Sequence, residues 1–103
     1  VEETMRVCAK TELSFEMISR KWMCFIVHTL ASGPKRFAEM SASIPNISNR
    51  VLTERIKELE DLEIINRNVI PDRPVRIEYS LTEKGRALSD ALNEIGKWAG
   101  KWM

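Results

Sequence analysis

The hydrophobic period of this chain changes twice, and the order of the changes limits what it can fold into. Val51, Leu52, Ile56, Leu59 and Leu62 recur at the three-and-four spacing of one helix face. After Ile65 the period falls to two. "NRNVI" and "VRIEYSL" alternate apolar and polar residues, the pattern of half-buried strands. "PDRP", Pro71 to Pro74, separates them and reads as the stiff tip of a β-hairpin over residues 66–81. Helical spacing then returns. Thr82 can cap a last long helix carrying Leu88, Leu92, Ile95, Ala99 and Trp102 on one stripe, widened by Ala91 and Trp98.

Three shorter segments precede this core pattern. Leu13, Phe15, Met17 and Ile18 predict a short helix over Thr11–Ser19. "WMCFIVHTL", Trp22 to Leu30, is apolar nearly all round, as a buried central helix must be, and Gly33-Pro34 stops it. Phe37 to Ile44 predicts another short helix, ended by the restriction that Pro45 imposes on its predecessor. Ser48 then caps the striped helix. Helix, helix, helix, hairpin, helix is the layout of a winged helix-turn-helix. The expected class is therefore mainly α (α+β), one domain over residues 1–103. The helix-turn-helix spans 37–63, the wing 66–81 and a terminal helix 82–102. A chain of 103 residues suits one small domain.

Composition removes several classes. Two cysteines, Cys8 and Cys24, and one histidine, His28, make neither a disulfide framework nor a zinc ligand set, so no metal or cofactor is expected. No apolar run approaches the roughly 20 residues of a membrane span. With no signal peptide in view, the expectation is a cytoplasmic protein with no membrane partner. A start at Val1 in place of Met hints at a trimmed N-terminus. No nucleophile–base pairing is visible, so catalysis is not expected. Net charge is only +1, but bases cluster in residues 35–57 and again in 67–86, with an acidic run from Glu58 to Glu63 between them. Two basic segments converging on one face would suit a polyanion.

The striped helix carries its charges against its own dipole. Arg50, Arg55 and Lys57 stand toward its start; Glu58, Glu60, Asp61 and Glu63 crowd its end. Each misplaced charge costs about 0.3–1 kcal/mol at low salt. The Arg50–Glu54 and Lys57–Asp61 spacings offset part of that. In a helix-turn-helix the second helix enters the major groove by its N-terminal residues. Bases at that end meet DNA, and acids at the far end stay away from it. Arg50 can donate two hydrogen bonds to guanine, Asn49 can pair with adenine, and Thr53 can touch a thymine methyl. Lys57 and Ser48 complete the expected contacts on this helix. Arg55 sits beside the apolar stripe and is expected to pack or pair internally. The bland alternative, a solvated charged face, accounts for the exposure but leaves the reversed order unexplained. Glu54 is awkward on a reading face. It accepts from a cytosine amino group or it positions Arg50, and the sequence does not choose.

Arg73 and Arg76 flank the wing tip, where an arginine reaches a phosphate or the narrow minor groove. Lys35 and Arg36, just ahead of the first helix of the pair, are expected on backbone phosphate. The bland reading of the wing is a hairpin whose charges discourage aggregation. The terminal stripe of Leu88, Leu92, Ile95, Trp98, Ala99 and Trp102 is assigned to packing across a two-fold axis. A dimer would place two reading helices one DNA turn, about 34 Å, apart on an inverted repeat.

These residues resemble the HxlR-type winged-helix regulators. The likeness is carried by "RKW" (Arg20–Trp22), "GPKRFAEM" (Gly33–Met40), "IPNISNRVLTERIKELEDLEII" (Ile44–Ile65) and "PVRIEYSLTEKGRAL" (Pro74–Leu88). The resemblance implies a homodimeric transcription factor whose terminal helices form the interface, whose Ser48 helix reads DNA and whose hairpin is the wing. It also implies a role for Cys8, because some members sense electrophiles, quinones or oxidants through a thiol at this place. Arg6 and Lys10 flank Cys8 and a helix is expected to start at Thr11, all of which favour thiolate. Cys24, within the apolar helix, reads as inert core.

The function expected is a dimeric DNA-binding transcriptional regulator, a repressor or a redox-responsive switch, with double-stranded DNA, a second copy and a small electrophile or oxidant as partners. The rival is a winged-helix module that contacts protein and no nucleic acid. Operator, target genes, inducer and sign of regulation lie outside what the sequence determines.

Overall fold

The computed structural model describes residues 8–103. Arg6, invoked above beside Cys8, lies outside them. The elements run α1 (Ala9–Ser19), α2 (Met23–Leu30), α3 (Phe37–Ser43), α4 (Asn49–Asp61), β1 (Ile65–Ile70), β2 (Arg76–Leu81) and α5 (Glu83–Trp102). This is a winged helix-turn-helix, as the alternating periods predicted.

The core gathers where the stripes meet. Ile26, Val27 and Leu30 of α2, Met40 of α3, Leu52, Ile56 and Leu59 of α4, and Ile64, Ile65 and Leu81 at the base of the hairpin are all buried. The α2 segment is central, packing against α1, α3, α4, α5 and β2, and its apolar character all round follows from that. It begins one residue later than expected. Trp22 is its N-cap, in the left-handed region at φ 80°.

The acidic end of α4 is closed by a Schellman turn. Ile64 N donates to Leu59 O at 2.9 Å and Glu63 N to Glu60 O at 2.9 Å, with Glu63 left-handed at φ 60°. That turn aims the chain into β1. β1 and β2 pair antiparallel from Ile65↔Leu81 to Ile70↔Arg76. A third short segment joins them: Lys35 exchanges both backbone hydrogen bonds with Tyr79, at 2.9 and 2.8 Å.

Thr82 then docks α5. Its hydroxyl donates to Glu63 O at 2.6 Å and accepts from Gly85 N at 3.0 Å, so one side chain caps α5 and grips the turn after α4. A Cβ on Gly85 would overlap the Ile64 carbonyl oxygen. Only glycine permits this backbone approach. The first half of α5 lies on the core through half-buried Leu88 and Leu92. The second half runs clear of it, which stretches the molecule to 61 × 29 × 24 Å. Among the described residues, no helix is long and apolar enough to cross a membrane.

Candidate nucleic-acid interface

The α4 helix, the expected reading helix, is held by its buried face. Leu52, Ile56 and Leu59 anchor α4, Ser48 Oγ caps it by accepting from Val51 N at 3.1 Å, and Asn46 at φ 68° makes the tight turn from α3. What remains outward is Asn49, Arg50, Thr53, Glu54 and Lys57, all exposed. The Arg50 side chain is 85% accessible. Its only ion pair among the described residues is with Glu54, at 3.8 Å one turn along. Thr53 donates its hydroxyl back to Asn49 O at 2.8 Å. That turns its polar atom inward, in keeping with contact through its methyl.

Asn49 is more constrained than expected. Ser41 Oγ donates to its Oδ1 at 3.2 Å, linking α3 to α4 across the turn. The carboxamide oxygen has a second lone pair and the amide two donors, so adenine pairing stays open to it. Lys57 makes no ion pair among the described residues.

The two wing arginines stand in different surroundings. Arg76 lies between two carboxylates, with Nη1 3.2 Å from Asp72 Oδ2 and Nε 3.3 Å from Glu78 Oε2. Its charge is opposed by two acids within the hairpin, although its buried Nε makes no hydrogen bond among the described residues. The pairing follows from the turn, which folds Asp72 back beside β2, and from the same-strand neighbour two residues on. Arg73 is exposed at the tip and lines one groove with Arg36, Pro74, Val75 and Ile77. Arg36 and Arg73 thus share one groove, which Asp72 and Arg76 also line. Lys35 has local partners of its own. Its backbone belongs to the ladder with Tyr79 and its ammonium donates to Ser32 Oγ at 3.1 Å and Gly33 O at 3.3 Å.

Arg55 sits off the reading face, as expected, and pairs with Glu58 at 2.8 Å. Sequence reasoning gave Glu58 no part beyond the acidic run. The i,i+3 spacing of Arg55 and Glu58 was the available signal.

Cys8 is the N-cap of α1, which starts two residues earlier than predicted. Its sulfur accepts from Thr11 N at 3.4 Å and lies 2.9 Å from Thr11 Oγ1. The Thr11 hydroxyl, then the Thr11 amide, hold its thiol below the ordinary value, and it is fully exposed. Cys24 is half-buried, donates to Ile18 O at 3.4 Å and is pushed up by burial, the environment of an unreactive thiol.

The terminal stripe divides. Leu88 and Leu92, expected at a subunit interface, are half-buried and pack against the chain's own core. Beyond them Ile95, Trp98 and Trp102 are 53%, 57% and 67% exposed on the protruding half of α5, with half-buried Ala99 between.

Comparison with known proteins agrees with this geometry. The model of the HxlR-like helix-turn-helix family matches residues 17–103. The HTH-type transcriptional regulator YvaP of Bacillus subtilis is 50% identical over 97 residues, covering 94% of this chain and 90% of YvaP. The reduced form of the B. subtilis transcriptional regulator YodB superposes with a TM-score of 0.86 at 44% identity, covering 94% of this chain and 95% of that one. Quinone-bound YodB gives 0.81 at 42% identity, covering 93% and 100%.

Proposed function

Given that the chain belongs to the HxlR-like helix-turn-helix family of transcriptional regulators, we propose that it binds an operator inverted repeat as a homodimer and responds to an electrophile or oxidant through Cys8. Family and relatives are regulators and not enzymes. The observation that carries DNA reading is the outward face of α4. Arg50, Thr53 and Lys57 stand exposed on a helix whose other face is locked into the core. Arg50 takes a guanine edge, Thr53 a thymine methyl, Asn49 an adenine, and Lys57 a phosphate. The groove edge of Arg36 and Arg73 takes backbone phosphate or the minor groove beside the wing.

Ile95, Trp98, Ala99 and Trp102 pair two copies. An exposed aromatic stripe on a protruding helix has a large apolar area to bury, and a second identical stripe antiparallel to it is a self-complementary cover. Cys8 supplies the switch. Its lowered thiol is a nucleophile that forms a bond to an electrophilic carbon, or is oxidised to sulfenic acid. Either product changes the sulfur that accepts from Thr11 N and caps α1, and α1 then shifts the spacing of the two reading helices. YodB, solved in reduced and quinone-bound forms, supports this class of effector.

The test is selection of bound sites from random duplex DNA, with and without a small quinone. An inverted repeat with half-site centres one turn apart, depleted by the quinone in wild type but not in Cys8→Ser, is the expected result. Sites without two-fold symmetry would contradict the dimer, and equal depletion in Cys8→Ser would contradict the switch.

A further inference from the structure

Between α1 and α2 the chain turns through Arg20, Lys21 and Trp22, and α4 grips that turn with two side chains. Arg55 Nε donates to Lys21 O at 3.0 Å, and its Nη1 donates to Glu58 Oε1 at 2.8 Å. The other carboxylate oxygen of Glu58 accepts from Arg20 Nη1 at 2.8 Å. Glu58 therefore spends both oxygens on arginines from two different helical segments. Arg55 is the most enclosed of the three, at 21% exposure, whereas Arg20 is open at 57%.

The gripped turn is itself unusual. Trp22 holds the left-handed conformation at φ 80°, which a bulky residue keeps only where its surroundings over-determine it. Arg55 bonds the carbonyl of the Lys21–Trp22 peptide, whose orientation sets that φ. The Trp22 ring is seated against Phe25, centroids 5.7 Å apart. Arg20 is also the residue that closes α1. The same turn is thus the end of α1, the start of α2 and the anchor of α4.

We propose that Arg55 and Glu58 are positioning residues for DNA reading: they hold α4 to the end of α1, so the angle at which Arg50 is presented follows where α1 lies. This rests on the reading of α4 given above. Arg55 lies off the outward face, so any effect it has on operator binding is indirect. The arrangement gives α1 a defined lever. An 11-residue helix is about 16 Å long. Cys8 caps one end and the Arg20–Glu58–Arg55 link holds the other. A displacement of α1 is then delivered to α4 through two hydrogen bonds, Arg20 to Glu58 and Arg55 to the Lys21 carbonyl, braced within α4 by a third between Arg55 and Glu58.

The experiment measures affinity for a selected operator and for an unrelated duplex, with thermal unfolding alongside. The proteins are wild type, Arg20→Gln, Glu58→Gln, the double variant, Arg55→Lys and Arg50→Ala. Arg20→Gln and Glu58→Gln are expected to weaken operator binding about three- to tenfold, the double no more than Glu58→Gln alone, since they break one link. Arg55→Lys is expected to lose affinity although it keeps its charge, because an ammonium cannot span Lys21 O and Glu58 as the guanidinium fork does. Affinity for the unrelated duplex stays unchanged in all four. Arg20 is exposed enough that Arg20→Gln folds even if the others do not.

Unchanged operator affinity in Arg20→Gln and Glu58→Gln overturns the proposal. So do losses that add in the double variant, or an equal fall on unrelated DNA. If Arg50→Ala loses the operator while these variants keep it, this proposal alone fails. If Arg50→Ala binds as wild type, the reading of α4 fails and takes the proposal with it.

Discussion

Arg50 Nε lies 3.8 Å from Glu54 Oε1 on the outward face of α4, a long contact between two exposed side chains. A pair of this kind contributes about 0–1 kcal/mol and yields readily to a better partner. If Arg50 reads guanine as proposed, Glu54 holds it along the helix until guanine displaces it. Glu54→Ala removes that guide and one negative charge facing the phosphates. Affinity for unrelated DNA should rise several-fold while discrimination at the base read by Arg50 falls. Parallel titrations on operator and unrelated duplex check both directions.

The two wing arginines should separate in salt dependence. Arg73 is exposed and Arg76 is held by Asp72 and Glu78. If Arg73 meets phosphate, Arg73→Ala should reduce the slope of log affinity against log salt by about one unit. Arg76→Ala should leave that slope nearer wild type and lower the melting temperature of the free protein, because it strands two carboxylates beside the tip. Binding isotherms at four salt concentrations distinguish them.

Much of this was legible beforehand, and the reasons for the rest are particular. Helix order, the hairpin and the outward face of α4 follow from periodicity, because a 13-residue helix with one apolar stripe can bury it only one way. The engagement of Arg76 was not legible, since it depends on how the tip folds Asp72 back toward β2. The strand-like pairing of the Lys35 backbone with Tyr79 was not legible either, because the two residues are 44 apart in sequence. Leu88 and Leu92 share a stripe with Trp98 and Trp102, and only the angle at which α5 leaves the core decides which half stays inside. Trp22 gave no signal at all, as a left-handed tryptophan contradicts local preference and is imposed by the turn around it.

Gly85 should tolerate no side chain. Its added Cβ meets the Ile64 carbonyl, which the Schellman turn and Thr82 both hold in place. Gly85→Ala should destabilise by about 1–3 kcal/mol or more, through overpacking against backbone. Gly96→Ala meets nothing within 4 Å in the protomer and serves as the control. Chemical denaturation of both variants reads the difference.

Cys8 should react at lower pH than an ordinary thiol, and Thr11 should be the reason. Thr11→Val removes the hydroxyl that contributes most to lowering the thiol, so the midpoint of alkylation rate against pH should move up. The thiol is lowered in the folded state. Its cap therefore favours folding above the unfolded thiol value and is lost as pH falls through the folded one. A stopped-flow alkylation profile of Cys24→Ser protein, with and without Thr11→Val, reports Cys8 alone.

Two copies should come apart when the far half of α5 is made polar. Trp98→Glu with Trp102→Glu puts acids on the exposed stripe without touching Leu88 or Leu92 in the core. Sedimentation should show a monomer that keeps its helical content and binds the inverted repeat far more weakly than wild type.

The central claim is that the N-terminal half of α4 reads base edges through Arg50. The direct measurement is a cycle of four affinities: wild type and Arg50→Ala, each on the selected operator and on the same operator with the contacted guanine pair replaced. Wild type should lose about 1–3 kcal/mol on the replaced operator, and Arg50→Ala should bind both duplexes equally and weakly. If Arg50→Ala still discriminates between the two operators as wild type does, the assignment of α4 as the reading helix through Arg50 is wrong.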